Sequence, residues 1–148
     1  MPVVHSLLQV REELAAIAPT MTVEQLWLKP NGAASVGFHV QHLAGSLDRL
    51  LTYARGEPLN DQQRAALEAE ESPSAHRETP VALFAKADLT LDRALAQTRA
   101  TPVETLPDHR RVGRAGLPST VLGLLFHAAE HTQRHAGQIA TTVKMVAT

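Results

Sequence analysis

The chain has 148 residues, a formal net charge of −1, 44% hydrophobic residues and no cysteine. That length suits one domain around one hydrophobic core, and the near-neutral balance gives no electrostatic basis for binding nucleic acid or an anionic membrane. The lack of cysteine excludes disulfides, thiolate zinc sites and cysteine nucleophiles.

Aromatic residues make up only 3% of the chain, so alanine and aliphatic side chains must fill the interior, which favours helices over a sheet. Val3, Leu7, Val10, Leu14 and Ile17 alternate spacings of four and three, forming one helical stripe that Pro19 stops. In "TVEQLWL", Thr22 and Gln25 form a capping box for a short helix, and "KPNG" at 29–32 reads as a turn. A second long helix is expected from Ser35 as N-cap to Arg55, with Gly56 and Pro58 as stop signals.

"NDQQRAALEAEE" reads as a short, mostly solvated helix capped by Asn60, and "SPSAHRE" as loop. Thr79 followed by Pro80 opens a third long helix to about Arg99, with Val81, Phe84, Leu91 and Leu95 as its expected buried side. Residues 100–118 hold three prolines and two glycines without sustained periodicity, and read as a long connection. A fourth long helix starts near Ser119 or Thr120. No strand-like alternation stands out. The expected fold is all-α: four long helices with one lengthy crossover, plus short helices, in a single domain over 1–148.

The fourth long helix carries "HAAEHTQRHAGQI", with His127, His131 and His135 at four-residue intervals. Measured from the centre of that helix's apolar stripe, His135 lies about 30° away, His131 about 70° and His127 about 110°. An inward pair at i and i+4 can hold one metal ion between two imidazoles. The zinc-protease form of this pair encloses a glutamate, and here the interior is Thr-Gln-Arg. The plainer alternative is a set of core histidines satisfied by hydrogen bonds.

A third ligand should come from a facing helix. The second long helix offers His39 and His42. Periodicity favours His39, about 70° from that helix's stripe, over His42 at about 130°. Yet His42 shares a second face with Phe38, Ser46, Arg49 and Tyr53, and the pattern alone leaves the choice open. No Glu-x-x-His pair for a di-iron site occurs, and no helical carboxylate is expected to face the histidines, so three imidazoles on one divalent ion is the simplest set.

"HLAGSLDRLLTYARGE" from His42 and "LPSTVLGLLFHAAEHTQRHAGQI" from Leu117 resemble the DinB/YfiT superfamily of metal-dependent four-helix bundles. The resemblance implies an up-down-down-up topology, a divalent metal (zinc or nickel most often) and frequent homodimers. It assigns His42, His131 and His135 as metal ligands, and leaves His39 and His127 as supporting residues at the edge of the site. Characterised members are S-transferases using bacillithiol, mycothiol or glutathione, and related isomerases or hydrolases.

The implied activity is metal-dependent chemistry on a small molecule, with a low-molecular-weight thiol as the incoming nucleophile in a chain that has none of its own. Arg49, Tyr53 and Arg134 are candidates for contacting substrate anions or leaving groups. The cluster Arg110, Arg111 and Arg114 is a candidate for capping the cleft. The alternatives are a non-catalytic, metal-binding, stress-associated homodimer and a purely structural bundle. Spare apolar surface on the first and third long helices, together with the family habit, implies a homodimer. The N-terminal stretch lacks a basic leader and no apolar run reaches about 20 residues, so no membrane association and a cytoplasmic setting are expected.

Overall fold

The computed structural model describes residues 1–71 and 78–147. Four long helices build it: α1 (Pro2–Ile17), α3 (Val36–Ala54), α5 (Pro80–Ala100) and α6 (Val121–Val146). Two shorter ones, α2 (Val23–Trp27) and α4 (Asp61–Glu71), and a hairpin of β1 (His109–Val112) and β2 (Leu117–Thr120) lie between them. Local chemistry sets the boundaries. Ser35, Thr79 and Thr120 each accept a backbone N–H of the first turn of the helix they precede. Thr22 and Gln25 form a capping box around α2, and Asn60 and Gln63 exchange the same pair of bonds at the start of α4, at 2.8 and 3.0 Å. Gly56 ends the second long helix in the left-handed region, φ 80°, where a side chain would strain the backbone.

The helix directions follow from who touches whom. Gln133 of α6 donates to the Ser6 carbonyl of α1, and Arg11 of α1 pairs with Asp88 and Asp92 of α5. Between α3 and α5, Arg55 bonds Gln97 and Gln97 donates to the Leu51 carbonyl, so the carboxyl ends of these two helices lie together and they run parallel. Between α3 and α6, His39 meets His135 while Ser46 meets His131, an antiparallel pair. The topology is therefore up-down-down-up. Both α5 and α6 pack on α1 and on α3, while α1 and α3, like α5 and α6, face each other across the diagonals.

A parallel α3–α5 pair needs a connection that returns along the bundle, and α4 makes that return. Gln63 of α4 donates to Asp48 at 2.6 Å and Thr52 at 2.8 Å on α3. Two turns later Glu70 reaches Arg49 and His42. The lengthy crossover is thus 56–79, and the loop expected over "SPSAHRE" lies almost wholly outside the described residues. The connection at 101–120, which reads as structureless in the sequence, carries the β-hairpin, with His109 paired to Thr120 and Val112 to Leu117. Gly113 and Gly116, both at positive φ, turn it.

The core is aliphatic, as the composition requires: Leu7, Leu43, Leu47, Leu91, Leu95, Leu125 and Ile139 are fully buried. Trp27 of α2 stands on Gly37, where an added Cβ would meet its ring at 2.7 Å, and donates Nε1–H to the Glu78 carbonyl at 3.0 Å. Val81 departs from the expected buried side of α5. It is 74% exposed, and Leu83 and Ala87 take its place in the core beside Phe84 and Leu91. No described helix is long and apolar enough to cross a membrane.

Candidate metal centre

The antiparallel contact of α3 and α6 brings His42, His131 and His135 together. Each offers a ring nitrogen, and these three atoms lie within 4.8 Å of one another. Ring centroids are 5.1 Å apart for His42 and His131, 4.7 Å for His42 and His135, and 4.6 Å for His131 and His135. His135 is buried, whereas His42 and His131 are half-buried, so the cluster opens to solvent on one side. Phe38 stacks on the His42 ring, with an interplanar angle of 6°.

Each of the three imidazoles is already held through Nδ1. His42 Nδ1 lies 2.9 Å from Glu70 Oε2, His131 Nδ1 lies 3.1 Å from Ser46 Oγ, and His135 Nδ1 lies 3.1 Å from His39 Nδ1. Ser46 spends its own hydroxyl proton on the Leu43 carbonyl, so it accepts from His131. An ionised carboxylate only accepts, so His42 is the donor to Glu70. Both rings therefore carry Nδ1–H and keep Nε2 as a lone-pair donor. The His39–His135 contact joins two Nδ1 atoms, one of which must donate, and with His135 as the donor that ring takes the same tautomer. This donor set fits a divalent ion of the kind that takes neutral imidazole, with the partner on the second ring nitrogen fixing each ring.

Burial favours the neutral form of His39, His131 and His135. Burial pushes His135 down to about 4, helped by the neighbouring His131, His42 and His39. Burial likewise lowers His131, with His42 and Arg134 adding to it, and lowers His39, with His42 adding. Burial pushes the Glu70 carboxyl up, but hydrogen bonds from His42 and Arg49 and the Arg49 charge outweigh it, leaving Glu70 below the usual carboxylate range.

The remaining sequence candidates fall in distinct places. His39 is buried and meets His135 through Nδ1, behind the group of three rather than within it. Arg49 is nearly buried and clamps Glu70 through two bonds, Nη1–Oε1 at 2.7 Å and Nη2–Oε2 at 3.2 Å. His127 is exposed and engages Glu130 at 2.6 Å, and Arg134 donates Nη2 to both Glu130 oxygens, so this trio lies on the outer surface beside the cluster. Tyr53 packs against the core, about 16 Å along α3 from His42. The basic cluster does not cap the cleft: Arg110 donates to the Ala54 carbonyl at 2.8 Å, and from His42 to Ala54 the helix rises about 18 Å.

Glu70 corrects the expectation that no helical carboxylate faces the histidines. α4 reads as solvated because its glutamates look alike, yet the Glu70 side chain is only 8% exposed. The signal that could have found it is Gly45 inside "HLAGS". A glycine in a helix interior costs about 1 kcal/mol relative to alanine, and an added Cβ here would overlap Glu70 Oε1.

The model of the DinB superfamily matches residues 6–139. The chain belongs to the DinB superfamily. Among solved structures it is similar to a conserved protein from Enterococcus faecalis, with 21% identity and a TM-score of 0.68 over 98% of this chain and 95% of that one. It is also similar to YfiT from Bacillus subtilis, with 18% identity and a TM-score of 0.68 over 97% of this chain and 85% of that one. YfiT is described as a probable metal-dependent hydrolase with an unusual four-helix bundle topology. At these identities the likeness establishes the shared fold. No curated protein sequence matches the chain.

Proposed function

We propose that this DinB-superfamily protein binds one divalent metal ion, zinc or nickel, through His42, His131 and His135, and uses it in an enzyme acting on a small molecule. The observation that carries this reading is the convergence of three imidazoles whose Nδ1 atoms are all engaged elsewhere. A cluster of core histidines would have no need to leave three ring nitrogens within reach of one another and open to solvent. The description of YfiT as a probable metal-dependent hydrolase supports the same class of chemistry.

A divalent ion bound there would supply Lewis-acid polarisation and a nucleophile active at neutral pH. The chain's own groups do the rest. Glu70, Ser46 and His39 orient the three rings, and Phe38 walls one side of His42. The His127–Glu130–Arg134 trio sets the charge at the rim. With no cysteine in the chain, a sulfur nucleophile has to arrive with a cosubstrate, so the reading favoured is transfer of a low-molecular-weight thiol or the related hydrolysis. A reduced cytoplasmic thiol pool suits that role. An apolar groove of about 280 Å³ between α1 and α5, flanked by the exposed Val81, supports pairing of two copies through that face. The test is elemental analysis of the purified protein, followed by assays of electrophiles with several thiols and of hydrolysable esters and amides. Turnover that follows metal content is expected; metal-replete protein inert towards both sets of substrates would count against an enzyme.

A further inference from the structure

The sequence gives α4 no stake in the site, and the structure gives it one. Glu70 enters from the crossover helix, receives two bonds from Arg49 and faces His42 Nδ1 with its second oxygen. The Arg49, Glu70 and His42 side chains are 10%, 8% and 26% exposed, so water competes poorly for these bonds. Room for the carboxylate exists because position 45 is glycine: a Cβ there would overlap Glu70 Oε1 and crowd Arg49 Nη1 at 2.8 Å. Arg49 and Gly45 thus fix where the carboxylate sits, and the carboxylate fixes the His42 ring.

We propose that Glu70, clamped by Arg49 and admitted by Gly45, is the positioning residue of the metal centre, and that through it metal occupancy and docking of α4 are coupled. This rests on His42, His131 and His135 being the ligands. Among the described residues, His42 alone of the three rings is held by a group from outside α3 and α6. A ring locked as the Nδ1–H tautomer presents Nε2 at no reorganisation cost, and the carboxylate makes that nitrogen a better donor. Since α4 packs along α3 and reaches no other long helix to a comparable extent, the Glu70 bonds to His42 and Arg49 and the Gln63 bonds to Asp48 and Thr52 are its main polar anchors among the described residues. Coupling is reciprocal: whatever α4 contributes to metal affinity, the metal returns as firmer docking of α4.

The experiment titrates Ni²⁺ into metal-free wild type and into Glu70→Ala, Glu70→Gln, Gly45→Ala and His42→Ala by calorimetry, after circular dichroism has verified folding. Gly45→Ala guards against a misfolded Glu70 variant, because alanine is the better helix former. Glu70→Ala and Gly45→Ala should keep one site per chain but bind tenfold to a hundredfold more weakly. Glu70→Gln, which retains an acceptor, should lose less than Glu70→Ala. ¹⁵N spectra of the metal-free protein should show His42 as Nδ1–H in wild type and as a mixture in Glu70→Ala. Ni²⁺ should slow amide exchange within 61–71 in wild type and not in Glu70→Ala. Affinities within twofold of wild type for both Glu70→Ala and Gly45→Ala would overturn the proposal while leaving the metal site standing. Wild type that takes up no Ni²⁺, or His42→Ala that keeps full affinity, would overturn the ligand assignment itself.

Discussion

Replacing Arg49 by methionine isolates the energetics of the clamp, because methionine keeps the aliphatic stem and deletes only the charged fork. The Arg49 and Glu70 side chains are 10% and 8% exposed. Removing one partner strands the other charge, and for a buried pair that costs about 3–5 kcal/mol. Glu70 keeps the His42 bond, and α4 can undock locally rather than dragging the bundle with it, so the lower end of that range is expected. For a chain of this size the loss corresponds to a melting temperature lower by roughly 6–12 °C.

The pH dependence gives the signature. In wild type Glu70 lies below its usual range, so its contribution is present above the unfolded value and is lost as pH falls through the folded one. Without Arg49, burial, the largest single influence on this carboxyl, is opposed by His42 alone, and the folded value is expected to rise above the unfolded one. The native state then binds the proton more tightly than the unfolded chain, and stability is recovered as pH falls towards the unfolded value. Urea unfolding of metal-free protein should therefore show a larger loss at pH 8 than at pH 5. The double variant Arg49→Met/Glu70→Met should recover most of the deficit, since an apolar pair leaves no charge stranded. A loss below about 1 kcal/mol at pH 8, or equal losses at both pH values, would refute the buried-clamp argument.

Alanine at His42, His131 or His135 should abolish stoichiometric metal, while alanine at His39 or His127 should leave it, with a tenfold to hundredfold weaker affinity for His39→Ala because it frees His135 Nδ1; elemental analysis of the five proteins decides. Chelation should lower the melting temperature, and zinc or nickel should restore it, by about 2.7 kcal/mol of stabilisation at a hundredfold excess over the dissociation constant; an unchanged melt after verified metal removal would contradict a native site. Light scattering should give a dimer near twice 16.0 kDa, converted to monomer by Val81→Glu beside the α1–α5 groove; a wild-type monomer at micromolar concentration would refute the pairing.

The long helices were readable because their stripes and caps are local. Val3, Leu7, Val10 and Leu14 sit where spacing puts them, and Ser35, Thr79 and Thr22 cap as their chemistry suggests. The hairpin was hidden because its strands have four residues each and bury no alternating apolar face. Backbone pairing and Gly113 and Gly116 hold it, and neither writes a period into the sequence. Periodicity could not choose between His39 and His42 because α3 is wrapped by α4, α5 and α6, so a residue far from its main stripe still meets a neighbour. The DinB resemblance pointed to His42 by motif, and the fold places that residue in the three-ring group. Glu70 escaped because its partners lie on another helix, and only the returning course of the crossover reveals which of several similar glutamates turns inward.

The diagonal arrangement also bears on how such a chain could assemble in time. In a simple up-and-down bundle each pair of successive helices is a hairpin that gains contacts as soon as it closes. Here α1 and α3 are successive and diagonal, α5 and α6 are successive and diagonal, and α3 and α5 touch only after the crossover has travelled the bundle. No consecutive pair of long helices forms a self-contained hairpin. Even the nearest pair of packed long helices, α3 and α5, meets through residues 46 apart, Leu51 and Gln97, so loop closure has to precede most of the apolar burial. Folding should then be slower than for helical proteins dominated by local contacts, and the histidines come together only when α6, the last long helix, docks on α3.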